Sequence, residues 1–238
     1  MSAETPSTLR QAATVVVTRP TAAADDVEIY MVQRSAKSPF MPSTLVFPGG
    51  RLDADDGPPE EDATWVRAAI RECEEETGLD LPERLLWFDT WLTPSGESRR
   101  RYLTRFYWTQ IDRDTGDRAE ADGHETHDGR WATAAAHLEA WTAETVDLPP
   151  PTLCTLLRLA PLGPDAAHAL ATLEPSAVIL PKIELSPARI QIVMPHDPAY
   201  DDLPGEAMPA PERVRSLPTR FSRKERVWTP DDSPSPAS

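Results

Sequence analysis

A chain of 238 residues, 39% of them hydrophobic, has material for one domain with generous additions, or one domain and a small second unit. Its net charge of −15 repels nucleic-acid backbones and anionic membranes, which excludes both as expected partners; an anionic small molecule is still admitted if a cation or local arginines reverse the sign. Cys73 and Cys154 lie too far apart for a thiolate zinc site or a disulfide framework, no apolar run has membrane-spanning length, and residues 1–10 are too polar for a secretory signal, so a soluble cytoplasmic protein is expected.

Residues 1–10 read as a flexible leader. Residues 13–18 (ATVVVT) and 27–33 (VEIYMVQ) are rich in β-branched side chains and predict two strands joined by a hairpin loop. A short strand at 44–47 (TLVF) runs into Pro48-Gly49-Gly50. A polar, proline-marked loop follows. Asp62 is the expected N-cap of a helix over 63–77 that stops at Gly78. Strands are expected at 85–92, 101–111 and 129–132, and helices at 134–142 and 152–159. Beyond residue 163, a short helix (166–173) and strands at 177–180 and 189–194 precede a proline-rich, charged remainder that ends in a disordered tail at 229–238. The whole reads as a mixed sheet with a few helices, of the α/β or α+β class.

The helix over 63–77 contains RECEEETGL (71–79). On a helix, Val66, Ala69, Ile70 and Cys73 form a narrow apolar stripe, and Glu72, Glu75 and Glu76 share one side beside it. Carboxylates at i, i+3 and i+4 repel one another. A hard divalent ion such as Mg²⁺ or Mn²⁺ turns that repulsion into binding. The competing reading is a solvated acidic face. Spacing alone favours that second reading, but Arg71 ahead, Gly78 behind and the strand-Pro-Gly-Gly lead-in upstream reverse the preference.

The segment resembles the core of the Nudix box, G-x5-E-x7-R-E-U-x-E-E-x-G-U with U apolar, at Arg71, Glu72, Cys73, Glu75, Glu76, Gly78 and Leu79. The likeness to the wider fold covers residues 11–162. It implies an α/β/α sandwich with a mixed sheet, leaving residues 163–228 as a C-terminal extension packed on the domain. One feature departs from the pattern. Gly57 has the spacing of the first glycine but lacks the lead-in; Gly50 has the lead-in but lies seven residues too far away, so an insertion of that length inside the box is preferred. Ala63 then stands where strict spacing back from Arg71 expects a glutamate, and only a re-registered loop would let Glu60 or Glu61 substitute. Segments 40–53, 92–108 and 148–160 are similar to the coenzyme A diphosphatase-like branch of the family.

The resemblance implies metal-dependent hydrolysis of a nucleotide-containing diphosphate, with coenzyme A or an acyl-coenzyme A as one candidate. ADP-ribose, a dinucleotide cofactor or a nucleoside triphosphate are alternatives within the class. A non-catalytic nucleotide-binding regulatory module is the alternative outside it. Glu72, Glu75, Glu76 and the Gly50 carbonyl are the implied Mg²⁺ or Mn²⁺ ligands. Arg71 would orient a carboxylate, and Glu75 is a candidate base. Glu125, in the loop HETHDGRW (124–131), is a second candidate base; His124 and His127 in that loop are read as polar loop residues rather than a metal pair. Substrate phosphate needs local positive charge. Arg51 follows the glycine turn, and Arg101 and Arg105 share one face of their strand with Leu103 and Tyr107. Tyr102, Phe106 and Trp108 lie on the other face, with core packing preferred over stacking on a base. The oligomeric state is open and admits a homodimer.

Overall fold

The computed structural model describes residues 8–36, 43–95, 100–123, 126–186, 189–224 and 227–231. The chain begins with β1 (Thr8–Pro20), β2 (Val27–Arg34), β3 (Leu45–Val46) and β4 (Gly49–Arg51), then α1 (Asp62–Thr77). There follow β5 (Leu86–Leu92), β6 (Arg100–Gln110), a single turn α2 (Arg113–Gly116), β7 (Thr126–Thr133), α3 (Ala134–Thr142), α4 (Pro150–Leu159) and α5 (Ala166–Leu170). The chain then adds β8 (Lys182–Ser186), β9 (Arg189–Val193), β10 (Arg220–Lys224) and β11 (Val227–Pro230).

Two sheets result. The first has seven strands in the order β3-β2-β1-β6-β5, with β4 also on β1 and β7 also on β2. It is mixed, because β1 runs parallel to β6 and antiparallel to its other neighbours. The second is a four-stranded antiparallel sheet, β11-β10-β9-β8. This is the mixed α/β architecture expected.

The period of two along β1 builds two cores. Ala13, Val15 and Val17 face α1 and pack with its Trp65, Ala68, Ala69 and Cys73. Val16 faces the other way, into a larger cluster with Phe88 and Phe106 of the main sheet, Leu153 and Leu156 of α4, and Ile192, Phe221 and Trp228 of the second sheet. Side chains of this kind contribute about 1.5–3 kcal/mol each when fully buried. Because Ile192, Phe221 and Trp228 sit in the same cluster as Val16, the second sheet is packed on the first rather than tethered to it.

Several expectations are revised. Residues 8–10, expected in the leader, instead extend β1 and pair with β6. Thr229 and Pro230, expected in the tail, pair with β10. Residues 177–180 form no strand; Ile179 makes one isolated bridge to Trp91. Asp62 is the first helical residue rather than the cap. Its carboxylate accepts from Arg105 Nη1 at 2.7 Å instead. Among the described residues, no helix is long and apolar enough to cross a membrane.

Candidate active site

The apolar stripe of α1 is centred one residue earlier than the sequence suggests. Trp65, Ala68, Ala69 and Cys73 are buried, while Val66 and Ile70 are only partly covered. That rotation brings Glu72 and Glu76 towards the sheet and leaves Glu75 outward, its side chain 60% exposed. The helix ends at Gly78, whose φ of 67° places it in the left-handed region and whose N–H donates to the Glu74 carbonyl.

β4 lies directly under these glutamates. Gly49 has a φ of 151°, and its N–H donates to Glu76 Oε2 at 3.0 Å. Gly50 packs so closely on Glu72 that a Cβ there would overlap the carboxylate. The glycines therefore let backbone amide and carbonyl groups approach the acidic side of α1 with no side chain between them.

Arg71 organises the cluster. Its Nε and Nη2 donate to Asp56 Oδ1 and Oδ2 at 3.0 and 2.9 Å, a two-pronged pair. Nη1 donates to Glu72 Oε1 at 2.9 Å and to Glu75 Oε2 at 3.3 Å, and Nη2 also reaches the Arg51 carbonyl at 3.0 Å. Hydrogen bonding to the Arg71 guanidinium holds the Asp56 carboxyl below its usual range, and the same bonds raise Arg71. Glu72 moves the other way: burial pushes its carboxyl up despite the arginine beside it.

Asp56 is the residue the sequence reading missed, and it resolves the irregular box. It follows Gly50 with five residues between, as the pattern's first glutamate follows its glycine. Fifteen positions separate Asp56 from Arg71 against eight in the pattern, so the seven extra residues all lie between those two. Neither Glu60 nor Glu61 takes the role; both are exposed, and Glu61 only approaches Arg67 at 4.0 Å. The inserted loop is folded onto the start of α1. Trp65 Nε1 donates to the Pro59 carbonyl at 2.9 Å and Thr64 Oγ1 to the Pro58 carbonyl at 2.7 Å. The spacing of Asp56 from Gly50 is the signal that could have found it.

Glu72, Glu75, Glu76, Gly50, Arg51 and Arg71 line one cavity of about 1070 Å³. A second hollow of about 420 Å³, beside His196 and Arg215, holds none of them. The donor set is all oxygen and suits a hard divalent ion. Two of its carboxylates share one nitrogen of Arg71, and a third faces the adjacent glycine amide. The carboxylates do not close on a single point, since among the described residues no three acidic, histidine or cysteine side chains form a ready cluster. The chemistry of the donors therefore fits Mg²⁺ or Mn²⁺, while Glu76 is held by the Gly49 amide.

Two expected substrate arginines are elsewhere. Arg101 and Arg105 do not line the cavity; they share their face of β6 with Leu103 and Tyr107, which pack with α1. Arg101 Nε donates to the Thr93 carbonyl and Nη2 to Glu206. The Arg105 guanidinium stands 4.2 and 4.1 Å from the rings of Trp65 and Trp87. The cavity instead takes the opposite face of β6, with Tyr102, Thr104 and Phe106, and gains Arg10 and Arg34 beside Arg51. Glu125 and His124 lie outside the described residues, as does the side chain of His127. From just ahead of that loop the structure brings Asp122 to the cavity, its Oδ1 accepting from Thr126 N at 3.0 Å and Thr126 Oγ1 at 2.9 Å.

The comparisons with known proteins agree with this geometry. The NUDIX domain model matches residues 8–149. The chain is 26% identical over 167 residues to "Putative nudix hydrolase 7" of Caenorhabditis elegans, covering 55% of this chain and 55% of that protein. It therefore spans about half the length of the curated relative it matches. A NUDIX hydrolase from Alicyclobacillus acidocaldarius superposes with a TM-score of 0.58 at 22% identity, over 71% of this chain and 98% of that one. The NUDIX domain of Shewanella oneidensis NrtR, solved with ADP ribose, gives 0.49 at 17% identity over 63% and 86%. At 22% identity the likeness to the Alicyclobacillus acidocaldarius structure is one of fold.

Proposed function

The chain belongs to the NUDIX domain family, and from that premise we propose that it is a metal-dependent pyrophosphohydrolase acting on a nucleoside diphosphate joined to a second moiety. The observation that carries this reading is Arg71. It is fixed by Asp56 on one side and holds Glu72 and Glu75 on the other, beside Gly50 and facing a large cavity.

A bound Mg²⁺ or Mn²⁺ supplies charge neutralisation of the diphosphate and a more acidic water. Glu72, Glu75, Glu76 and the Gly50 carbonyl would hold it. Glu75, the most exposed of the three side chains, is also the candidate to accept the proton of the attacking water. Water adds to one phosphorus, and the bond from that phosphorus to the bridging oxygen breaks. The bridging oxygen leaves with the other phosphate, giving two monophosphates and a proton. Arg51, with Arg10 and Arg34, would face the non-bridging oxygens in a protein otherwise hostile to anions.

The finer reading places the chain in the coenzyme A diphosphatase-like branch, with coenzyme A or an acyl-coenzyme A as substrate. It is supported by the insertion inside the box and by the branch-like segments around it. The test is incubation with coenzyme A, ADP-ribose, NADH, a diadenosine polyphosphate and dNTPs in Mg²⁺ or Mn²⁺, with products followed by mass. Release of adenosine 3′,5′-diphosphate and phosphopantetheine supports the branch. Turnover of the other compounds alone removes it and keeps the class. Binding without turnover of any compound would leave a regulatory module.

A further inference from the structure

Part of the cavity wall comes from beyond residue 149, where the family segment ends. Pro181, Ile192 of β9 and Trp228 of β11 line it. Ile192 and Trp228 are 4% and 3% exposed, and they share one hydrophobic cluster with Phe47, Trp91 and Phe106, which line the same cavity from the main sheet. The wall is held in place: Trp228 N donates to Asp147 Oδ1 at 3.2 Å, and the Trp228 carbonyl accepts from Trp141 Nε1 at 2.8 Å.

The cavity thus has two chemistries. Carboxylates and guanidiniums gather around Gly50, and an aliphatic and aromatic wall makes up much of the rest. At about 1070 Å³ it stands at the top of the range of roughly 300–1,000 Å³ that holds a whole drug-sized ligand. Proline, isoleucine and phenylalanine side chains offer contact area but no hydrogen-bond partner for a second base or sugar, and the one hydrogen-bonding side-chain group of Pro181, Ile192 and Trp228 is the buried Trp228 indole N–H, which has no partner among the described residues. The Trp91 indole N–H is already given to Asp89 Oδ2 at 3.1 Å.

We infer that the C-terminal sheet supplies an apolar subsite for the substrate's second moiety, so that the protein selects nucleoside diphosphates whose far side carries a hydrocarbon chain. The inference rests on the hydrolase reading for the placement of the diphosphate beside Gly50. It goes beyond that reading in assigning specificity to Pro181, Ile192 and Trp228.

The probes are the methyl and octyl β-esters of ADP, titrated by calorimetry into the full chain with Mg²⁺ and assayed in parallel for release of AMP and alkyl phosphate. The octyl ester is expected to bind at least about tenfold more tightly, well within the roughly fourfold per methylene that full burial allows. Ile192→Ala, or Trp228→Phe if that variant does not fold, is expected to cut this preference to about twofold. Equal affinity for the two esters in the unaltered protein, or binding of neither, overturns the subsite. A preference that both variants leave intact overturns its location. If the octyl ester binds preferentially, the variants abolish that preference and neither ester is cleaved, the subsite stands and the hydrolase reading falls. If both are cleaved and bound equally, the hydrolase reading stands and the subsite falls.

Discussion

Every arm of the Arg71 guanidinium is engaged, and the two directions it serves are chemically different. Towards Asp56 it makes a structural pair. Asp56 is 5% exposed, so removing its charge leaves Arg71 without its principal partner. Asp56→Asn is expected to lower stability at pH 7 by about 1–3 kcal/mol in urea unfolding. The pH dependence has a definite sign. The folded carboxyl lies below its ordinary value of 3.8, so its contribution is complete above that value and is lost as pH falls through the lower folded one. The gap between the unaltered protein and Asp56→Asn should therefore stay constant near neutrality and close below about pH 3.8. Towards Glu72 the logic reverses. Burial raises this carboxyl above its ordinary 4.5, so its ionised form costs stability above that pH. Glu72→Gln, melted with a chelator present at pH 7, is expected to be no less stable than the unaltered protein, although its kcat falls by about a hundredfold or more. That Glu72, Glu75 and Glu76 share one side of α1 was legible because i, i+3, i+4 spacing is a local signal, but Arg71, Gly78 and the Pro-Gly-Gly lead-in were needed to read that side as more than a solvated face. Asp56 was not legible, because it meets Arg71 across an insertion. Arg101 and Arg105 were placed on one face correctly, but period-two alternation does not say which face bears the cavity.

α1 and β4 work as a pair, a helix offering carboxylates and a strand offering bare backbone. Gly50→Ala tests that pairing without altering a charge. The added Cβ must displace Glu72, so the variant is expected to fold with an unchanged circular dichroism spectrum and to lose about a hundredfold or more in kcat. On the face of the sheet that carries α1, away from the cavity, Arg105→Ala is expected to leave KM within about twofold, because the residue does not line the cavity. It should lower stability by about 1–2 kcal/mol through loss of two ring contacts. The elements legible in the sequence were those whose own residues declare them. β1 and β2 carry β-branched runs, and α1 has its apolar stripe and terminal glycine. β4, β8, β10 and β11 were not legible. They are short and carry no β-branched run, and pairing rather than their own residues defines them: β4 lies on β1, and β10 lies between β9 and β11. Residues 177–180 show the converse, an apolar run whose Ile179 and Leu180 are buried without entering a ladder.

Across the whole molecule, the two sheets are joined by a buried charge cluster as well as by apolar contact. Asp89 of β5 is fully buried and accepts from Arg158 of α4 at 2.5 Å and from Arg213, in the segment before β10, at 2.8 Å. Arg213 is 4% exposed and also donates to the Glu174 and Ala177 carbonyls. Arg213→Met should destabilise the protein by about 3–5 kcal/mol in urea unfolding, because it leaves the buried Asp89 carboxylate with Arg158 as its one cationic partner and removes the donor to two carbonyls. Packing of the second sheet on the first also puts Ile192 and Trp228 into the cavity wall, so the extension shapes the same space that the box residues enter. The most direct test of the account is hydrolysis of coenzyme A and the other panel diphosphates in ¹⁸O-labelled water with Mg²⁺ or Mn²⁺, comparing the unaltered protein with Glu75→Gln. The expected result is a pair of monophosphate products with label in one of them, metal-dependent and slowed by about a hundredfold or more in the variant. Absence of any labelled product from the unaltered protein, or an undiminished rate in Glu75→Gln, would contradict it.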